Sequence, residues 1–176
     1  MVELKKQKPD LNVLLSIGGW GSGRFSEMAA NDEYRRAFAA DCDRVVKEFA
    51  LDGIDIDWEY PTSSMANISS SPDDTENFTL LMQDIRAAIG NEKELTLATV
   101  ASARYIDFKA ILPSVDFVNI MAYDMASAPK HHSALYPSGH SGDITSDGAV
   151  TAHLKAGVPP SKLVMGMPFY GRGGDG

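Results

Sequence analysis

Asp55, Asp57 and Glu59 stand at every second position of "LDGIDIDWEY" (51–60), interleaved with Ile54, Ile56 and Trp58. Side chains of a strand alternate faces with period two, so the three acids share one face with Gly53 and the apolar set takes the other. Carboxyl groups this close repel one another and are costly to desolvate. Burial and like-charged neighbours raise a carboxyl pKa, so such a row keeps a proton near neutrality. That is what a general acid needs in order to protonate the leaving oxygen of a glycosidic bond. The inner pair can share a proton while the outermost acid reaches a substrate. A divalent cation is the competing use of carboxylates, but acids at i and i+2 lie about 6.6 Å apart along a strand. That spacing suits a line better than convergence on one ion. His131, His132 and His140 lie in a distant loop and show no partner spacing, so no metal is assigned. The plainest alternative, acids satisfied by backbone and arginine partners, is the weaker one for a row at a strand's carboxyl end. Asp52 falls outside the alternation and is expected to order the turn into the strand.

The flanking sequence predicts the elements that position this row. "NVLLSIGGW" (12–20) reads as a strand running into glycines. A helix is predicted over 31–50, capped by Asn31, with Tyr34, Phe38, Val45, Val46 and Phe49 as its apolar face. Cys42, the single cysteine, is expected to be a small core residue of that helix. A second helix runs from Ser71 as N-cap, through Pro72 and Asp74, to a stop at Gly90. Strands follow at 95–102, 115–124 and 162–172, separated by a short helix near 107–112 that Pro113 ends and a helix near 146–156 stopped by Gly157 and Pro159. Met165 and Met167 are expected to fill core. The loop before the 146–156 helix is expected to be mobile.

Alternating strands and helices call for a parallel α/β sheet. "SIGGWGSG" lacks the glycine spacing of a dinucleotide or phosphate loop, which argues against a doubly wound sheet. Polar groups at successive strand ends (Ser16 and Trp20, Asp57 and Glu59, Ser102, Tyr123 and Asp124, Tyr170 and Arg172) instead fit a (β/α) barrel of TIM type. Such barrels take about 250 residues and eight strands, and only five strands are predicted over 176 residues. An incomplete barrel of about five strand–helix units is expected, forming one partial domain over 1–176. The chain is expected to begin in mid-fold, without a signal peptide at "MVELKKQKPDLNVLL". The remaining strands would come from a longer chain or a second copy. The 24 acidic against 16 basic residues, a formal charge of −8, argue against nucleic acid or an anionic membrane as partner.

"DGIDIDWEYP" resembles the DGxDxDWEYP signature of glycoside hydrolase family 18, the chitinases. "SIGG" at 16–19 is similar to the family's SxGG motif, "MAYD" at 121–124 to its MxYD motif, and "MGMPFYGR" at 165–172 to the strand end that follows. The four motifs occur in the family's order, and the resemblance identifies the segment as the third to seventh barrel strands.

The resemblance implies hydrolysis of β-1,4-linked N-acetylglucosamine in chitin or chitooligosaccharides, with retention and without a cofactor. Family 18 is substrate-assisted: no enzyme carboxylate attacks the sugar. Glu59 would be the general acid, Asp57 would orient the sugar's acetamido N–H, and Asp55 would share a proton with Asp57. Tyr123 would donate its hydroxyl to the acetamido group. Ser16 would hydrogen-bond the inner acids. Gly19, Trp20, Tyr60, Met121, Asp124, Tyr170 and Arg172 would line the sugar site, Arg172 contacting Asp124 or sugar hydroxyls. Trp58 faces the other way and is expected to be structural. The alternatives are a chitin-binding lectin on the same scaffold, an inactive fragment, and an endo-N-acetylglucosaminidase acting on N-glycans. Lectin relatives usually lack the acid at position 59. The family further implies an extracellular or cell-surface setting. The segment alone is expected to be weakly active or inactive, because the family's eighth strand supplies a tryptophan under the cleaved sugar.

Overall fold

The computed structural model describes residues 1–174. Its strands are β1 (Leu14–Gly18), β2 (Gly53–Asp57), β3 (Glu94–Val100), β4 (Phe117–Met121) and β5 (Leu163–Met165). They form a sheet in the order β1-β2-β3-β4-β5, and β1–β2, β2–β3 and β4–β5 pair in parallel. Between them run α1 (Phe25–Ala29), α2 (Asp32–Glu48), α3 (Asp74–Ile89), α4 (Phe108–Ile111) and α5 (Ser146–Lys155). The class is α/β, with β1 and β5 the outermost of the described strands. The chain packs as two compact units, one of residues 1–97 and 105–116, the other of 98–104 and 117 onward.

In the first unit, the apolar face of β2 is covered by helices. Ile54 and Ile56 are fully buried, and Trp58, just past the strand, stacks on Phe25 of α1 at 5.4 Å and meets Phe78 of α3 edge-on at 5.5 Å. Trp58 is structural, as its parity requires. Helix α2 begins as expected, with Asn31 accepting from the Tyr34 N–H at 3.0 Å. Its buried stripe differs from the predicted one. Arg35, Ala39, Cys42 and Val46 face inward, while Tyr34 and Phe49 are more than half exposed. The reason is Arg35, whose guanidinium satisfies the Ala29 carbonyl, Asp84 of α3 and Asp32, so a charged residue occupies an inward position and rotates the aromatic pair outward. Cys42 is buried, and desolvation pushes its thiol up to about 12.

Helix α3 starts two residues later than predicted. Ser71 still takes part in its entry, because Asp74 reaches back to the Ser71 N–H at 2.8 Å. The same buried carboxylate accepts from Ser26 and from the Thr62 N–H, tying α1, the loop after β2 and α3 together. Asp52 orders the turn into β2 as expected, accepting from Lys5 and from the Val13 N–H.

The second unit has a small core of Ala101, Ile120, Ala122 and Ala149, with Met125, Ile144, Val150 and Leu163 packed against it. Helix α5 is capped by Thr145, and its fully buried His153 sits 2.7 Å from the Thr99 hydroxyl. The predicted strand over 162–172 is reduced to Leu163–Met165. Its pairing with β4 closes at Gly166, whose N–H donates to the Ile120 carbonyl, and a β-carbon there would come within 2.6 Å of that oxygen. Met165 and Met167 are exposed rather than core. The loop before α5 is pinned by hydrogen bonds: His131 to His140, Ser133 to the Ala122 carbonyl, and Met125 to His132.

Gly53 shows how tightly β2 is seated, since a β-carbon there would lie 2.0 Å from the Glu94 carbonyl oxygen. Gly53→Ala is therefore expected to lower unfolding free energy by about 2–3 kcal/mol. Gly173, with open space around it, should tolerate the same change. Urea titrations of the two variants check this, and equal midpoints would refute the close packing at Gly53.

Candidate active site

The register of the sheet assembles the inner end of the carboxylate row. Ser16 pairs with Asp55 across β1–β2, and Asp55 pairs with Thr96 across β2–β3. In-register neighbours of a parallel sheet point to the same face, so two hydroxyls flank one carboxylate. Ser16 Oγ donates to Asp55 Oδ2 at 2.7 Å and Thr96 Oγ1 donates to Asp55 Oδ1 at 2.6 Å. Ser16 was legible from its motif and Thr96 was not.

Asp57 lies at the carboxyl end of β2, half-buried, with Oδ1 out of reach of water and without a hydrogen-bond partner among the described residues. Burial, then the charges of Glu59 and Asp55, push its carboxyl up to about 7. Below that pH it carries a proton. Glycines of the β1 end close in beside it: the Gly19 N–H donates to the Asp57 carbonyl at 2.8 Å, and a β-carbon on Gly18 would overlap that oxygen. Gly19 leaves open the side of the Asp57 carboxyl, where a side chain would begin 4.0 Å from Oδ2.

Glu59 lies beyond the strand in a bend and is nearly buried, which raises its pKa above the usual carboxylate range. A hydrogen bond with the Tyr60 hydroxyl acts in the opposite direction. Tyr60 stacks on Tyr105 at 5.3 Å and meets the exposed Trp20 edge-on at 6.4 Å. The first unit thus gathers Ser16, Gly19, Trp20, Asp55, Asp57, Glu59 and Tyr60 around one strand end. Tyr105 joins them without having been singled out in the sequence.

In the second unit, Met121 ends β4 and Tyr123 and Asp124 follow it. Asp124 takes a left-handed backbone (φ +52°) and is the hub of a polar cluster. It accepts from Tyr170 Oη at 2.7 Å and from Arg172 Nε and Nη2 at 2.7 and 2.9 Å. Arg172 is first among the causes that hold the Asp124 carboxyl below its usual range. Arg172 lies 5.0 Å from the Tyr170 ring centre, and the Tyr123 and Tyr170 rings meet edge-on at 6.2 Å. The Asp124 N–H donates to His132 Nδ1, and the His132 ring stacks on Tyr170. His132 therefore belongs to this cluster, although no sequence spacing marked it.

The raised pKa of Asp57 has a consequence for stability. Between the ordinary aspartate value and about 7 the folded chain holds a proton that the unfolded chain has released. Folding stability from this group is thus complete in acid and is lost as pH rises through 7. Asp57→Asn is expected to flatten that decline, so the variant gains on the parent at pH 8 relative to pH 4. Chemical denaturation at both pH values measures it, and parallel losses in the two proteins would count against the shift.

The profile of the family described as "Glycosyl hydrolases family 18" matches residues 1–176. Among curated proteins, the chain is 38% identical to "Chitinase A1" of Niallia circulans over 99% of its own length and 28% of that protein. It is 37% identical to "Chitotriosidase-1" of Mus musculus over 96% of its length and 40% of the relative. Among solved structures, the chitinase domain of the spore coat protein CotE from Clostridium difficile superposes with a TM-score of 0.93 at 41% identity, covering 97% of this chain and 53% of that one. A family 18 N-acetylglucosaminidase from Paenibacillus barengoltzii gives a TM-score of 0.87 at 41% identity, over 93% and 53%. The chain spans less than half the length of these curated relatives and about half the length of these solved chains. With a matching profile over every residue, the same fold, and the acid row at the end of β2 beside the glycine motif at the end of β1, the chain belongs to glycosyl hydrolase family 18.

Proposed function

We propose that this chain carries the acid–base and acetamide-handling residues of an enzyme that hydrolyses β-1,4-linked N-acetylglucosamine in chitin or chitooligosaccharides. The observation that carries the reading is the graded row running along β2 and into the bend that follows it. Asp55 is fixed by two hydroxyls, Asp57 holds a proton up to about pH 7, and Glu59 is nearly buried with a raised pKa.

In this reading the reaction is substrate-assisted and retaining. Glu59 gives its proton to the glycosidic oxygen as the bond to the anomeric carbon breaks. The acetamido carbonyl oxygen of the same sugar attacks that carbon and forms a cyclic oxazolinium ion. Asp57 passes its proton to Asp55, turns toward the acetamido N–H, accepts its hydrogen bond as a carboxylate and offsets the positive charge, while Asp55 stays anchored behind it. Glu59, now a carboxylate, takes a proton from the incoming water that reopens the ring. Tyr123 donates its hydroxyl to the acetamido oxygen. Asp124, oriented by Arg172 and Tyr170, accepts from sugar hydroxyls, and Trp20 offers an exposed ring face on which a sugar can stack. A lectin on this scaffold has no use for a protonated acid at position 59, so Glu59 favours the enzyme.

The setting we propose is extracellular or at the cell surface, where a polysaccharide of this size is met. No helix among the described residues is long and apolar enough to cross a membrane.

Glu59→Gln in the full-length protein is expected to lower kcat on chitooligosaccharides by about 10²–10⁴-fold. Oligosaccharide affinity should change little, because the amide keeps the shape of the acid. Turnover near that of the parent would remove Glu59 from the role of acid. Asp124→Asn weakens the pairing with Arg172 and is expected to raise KM more than it lowers kcat, as steady-state kinetics would show.

A further inference from the structure

Asp74 opens α3 fully buried, and its carboxylate is held by three donors. Ser26 Oγ donates to Oδ1 at 2.7 Å, and the Thr62 and Ser71 N–H groups donate to Oδ2 at 3.0 and 2.8 Å. Bonds from backbone N–H groups to a buried carboxylate are strong, and these two tie both ends of the segment 62–71 to one side chain.

Thr62 connects that carboxylate to the chemistry. The Ser63 N–H donates to the Tyr60 carbonyl at 3.2 Å, so residues 60–63 make a tight turn with Pro61 in its second position. The third position, Thr62, takes φ +62°, a conformation that suits glycine and is costly for a β-branched side chain. Pro61 and Ser63 are buried on either side of it. Asp74 therefore grips the turn at its strained residue, and Glu59 immediately precedes the turn.

We propose that Asp74 is a positioning residue for the proton donor: by holding the Thr62 N–H it fixes the turn from which Glu59 reaches the glycosidic oxygen. The inference rests on the reading of Glu59 as the acid. When the hold is lost, the turn relaxes from its costly conformation and carries Glu59 with it. A misplacement of about 1 Å can cost ~10²-fold in rate. The inner end of the acid row is anchored separately, since Asp55 is held by Ser16 and Thr96. The defect therefore falls on delivery of the proton.

The test compares kcat/KM of the full-length protein on two substrates. A chitooligosaccharide has a sugar leaving group that needs a proton, whereas the nitrophenolate of a nitrophenyl chitobioside departs without one. Asp74→Asn keeps the size of the side chain but offers one acceptor oxygen in place of two, so it cannot hold all three donors. It is expected to lower kcat/KM on the oligosaccharide about 10–10²-fold and on the nitrophenyl substrate less than about threefold. Ser26→Ala leaves the Thr62 contact in place and should stay within about threefold of the parent on both. Asp74→Glu, which displaces the carboxylate by one methylene, serves with the same expected split if Asp74→Asn does not fold. Equal losses on the two substrates mark a merely structural role and overturn the proposal, as does parental activity on the oligosaccharide. Glu59→Gln should show the same split more strongly. Full oligosaccharide activity in Glu59→Gln would sink the functional reading, whereas a split in Glu59→Gln with none at Asp74 overturns this inference alone.

Discussion

The backbone register of β1, β2 and β3 sets the position of everything chemical in the first unit. It sets Ser16, Asp55 and Thr96 abreast, so that one carboxylate is held from both sides by hydroxyls. With Asp55 immobilised, the next acid on the same face, Asp57, meets a fixed charged neighbour in a half-buried place. A slip of one residue in either pairing would turn the acids into the helix layer and Ile54, Ile56 and Trp58 toward the open face. That layer, with Phe25 and Phe78 against Trp58, is what forbids the slip. Packing on one face of the strand thereby fixes electrostatics on the other.

Two aspartates illustrate how environment divides one residue type into two uses. Asp57 has an unpartnered buried oxygen and acidic neighbours, and it is driven toward the neutral form. Asp124 has a bidentate arginine and a tyrosine hydroxyl, and it is driven toward the charged form. The first can exchange a proton near neutrality, whereas the second serves as a permanent acceptor.

The sequence was most informative where chemistry and periodicity coincide. The alternation of 53–59 foretold which side chains of β2 would meet the helices, and Asn31 falls at a real helix start. Boundaries and faces were less legible. The inward turn of Arg35 depends on Asp84, 49 positions away, and nothing local to α2 announces that pair. The strand at 162–172 reads as continuous because Val164, Met165 and Met167 suit a strand, yet its pairing stops at Gly166. Thr96, Tyr105 and His132 were missed for one reason: each acts through a partner brought near by the fold, and a spacing pattern carries no trace of such a partner.

Cys42 is the chain's single thiol, set on the inward stripe of α2 with its pKa pushed up to about 12. At neutral pH almost none of it is thiolate, the form that attacks disulfides and reacts with oxidants. While α2 stays packed, the residue is chemically silent. An oxidising environment meets the Cys42 thiol in its protonated, buried form, and unfolding would expose it.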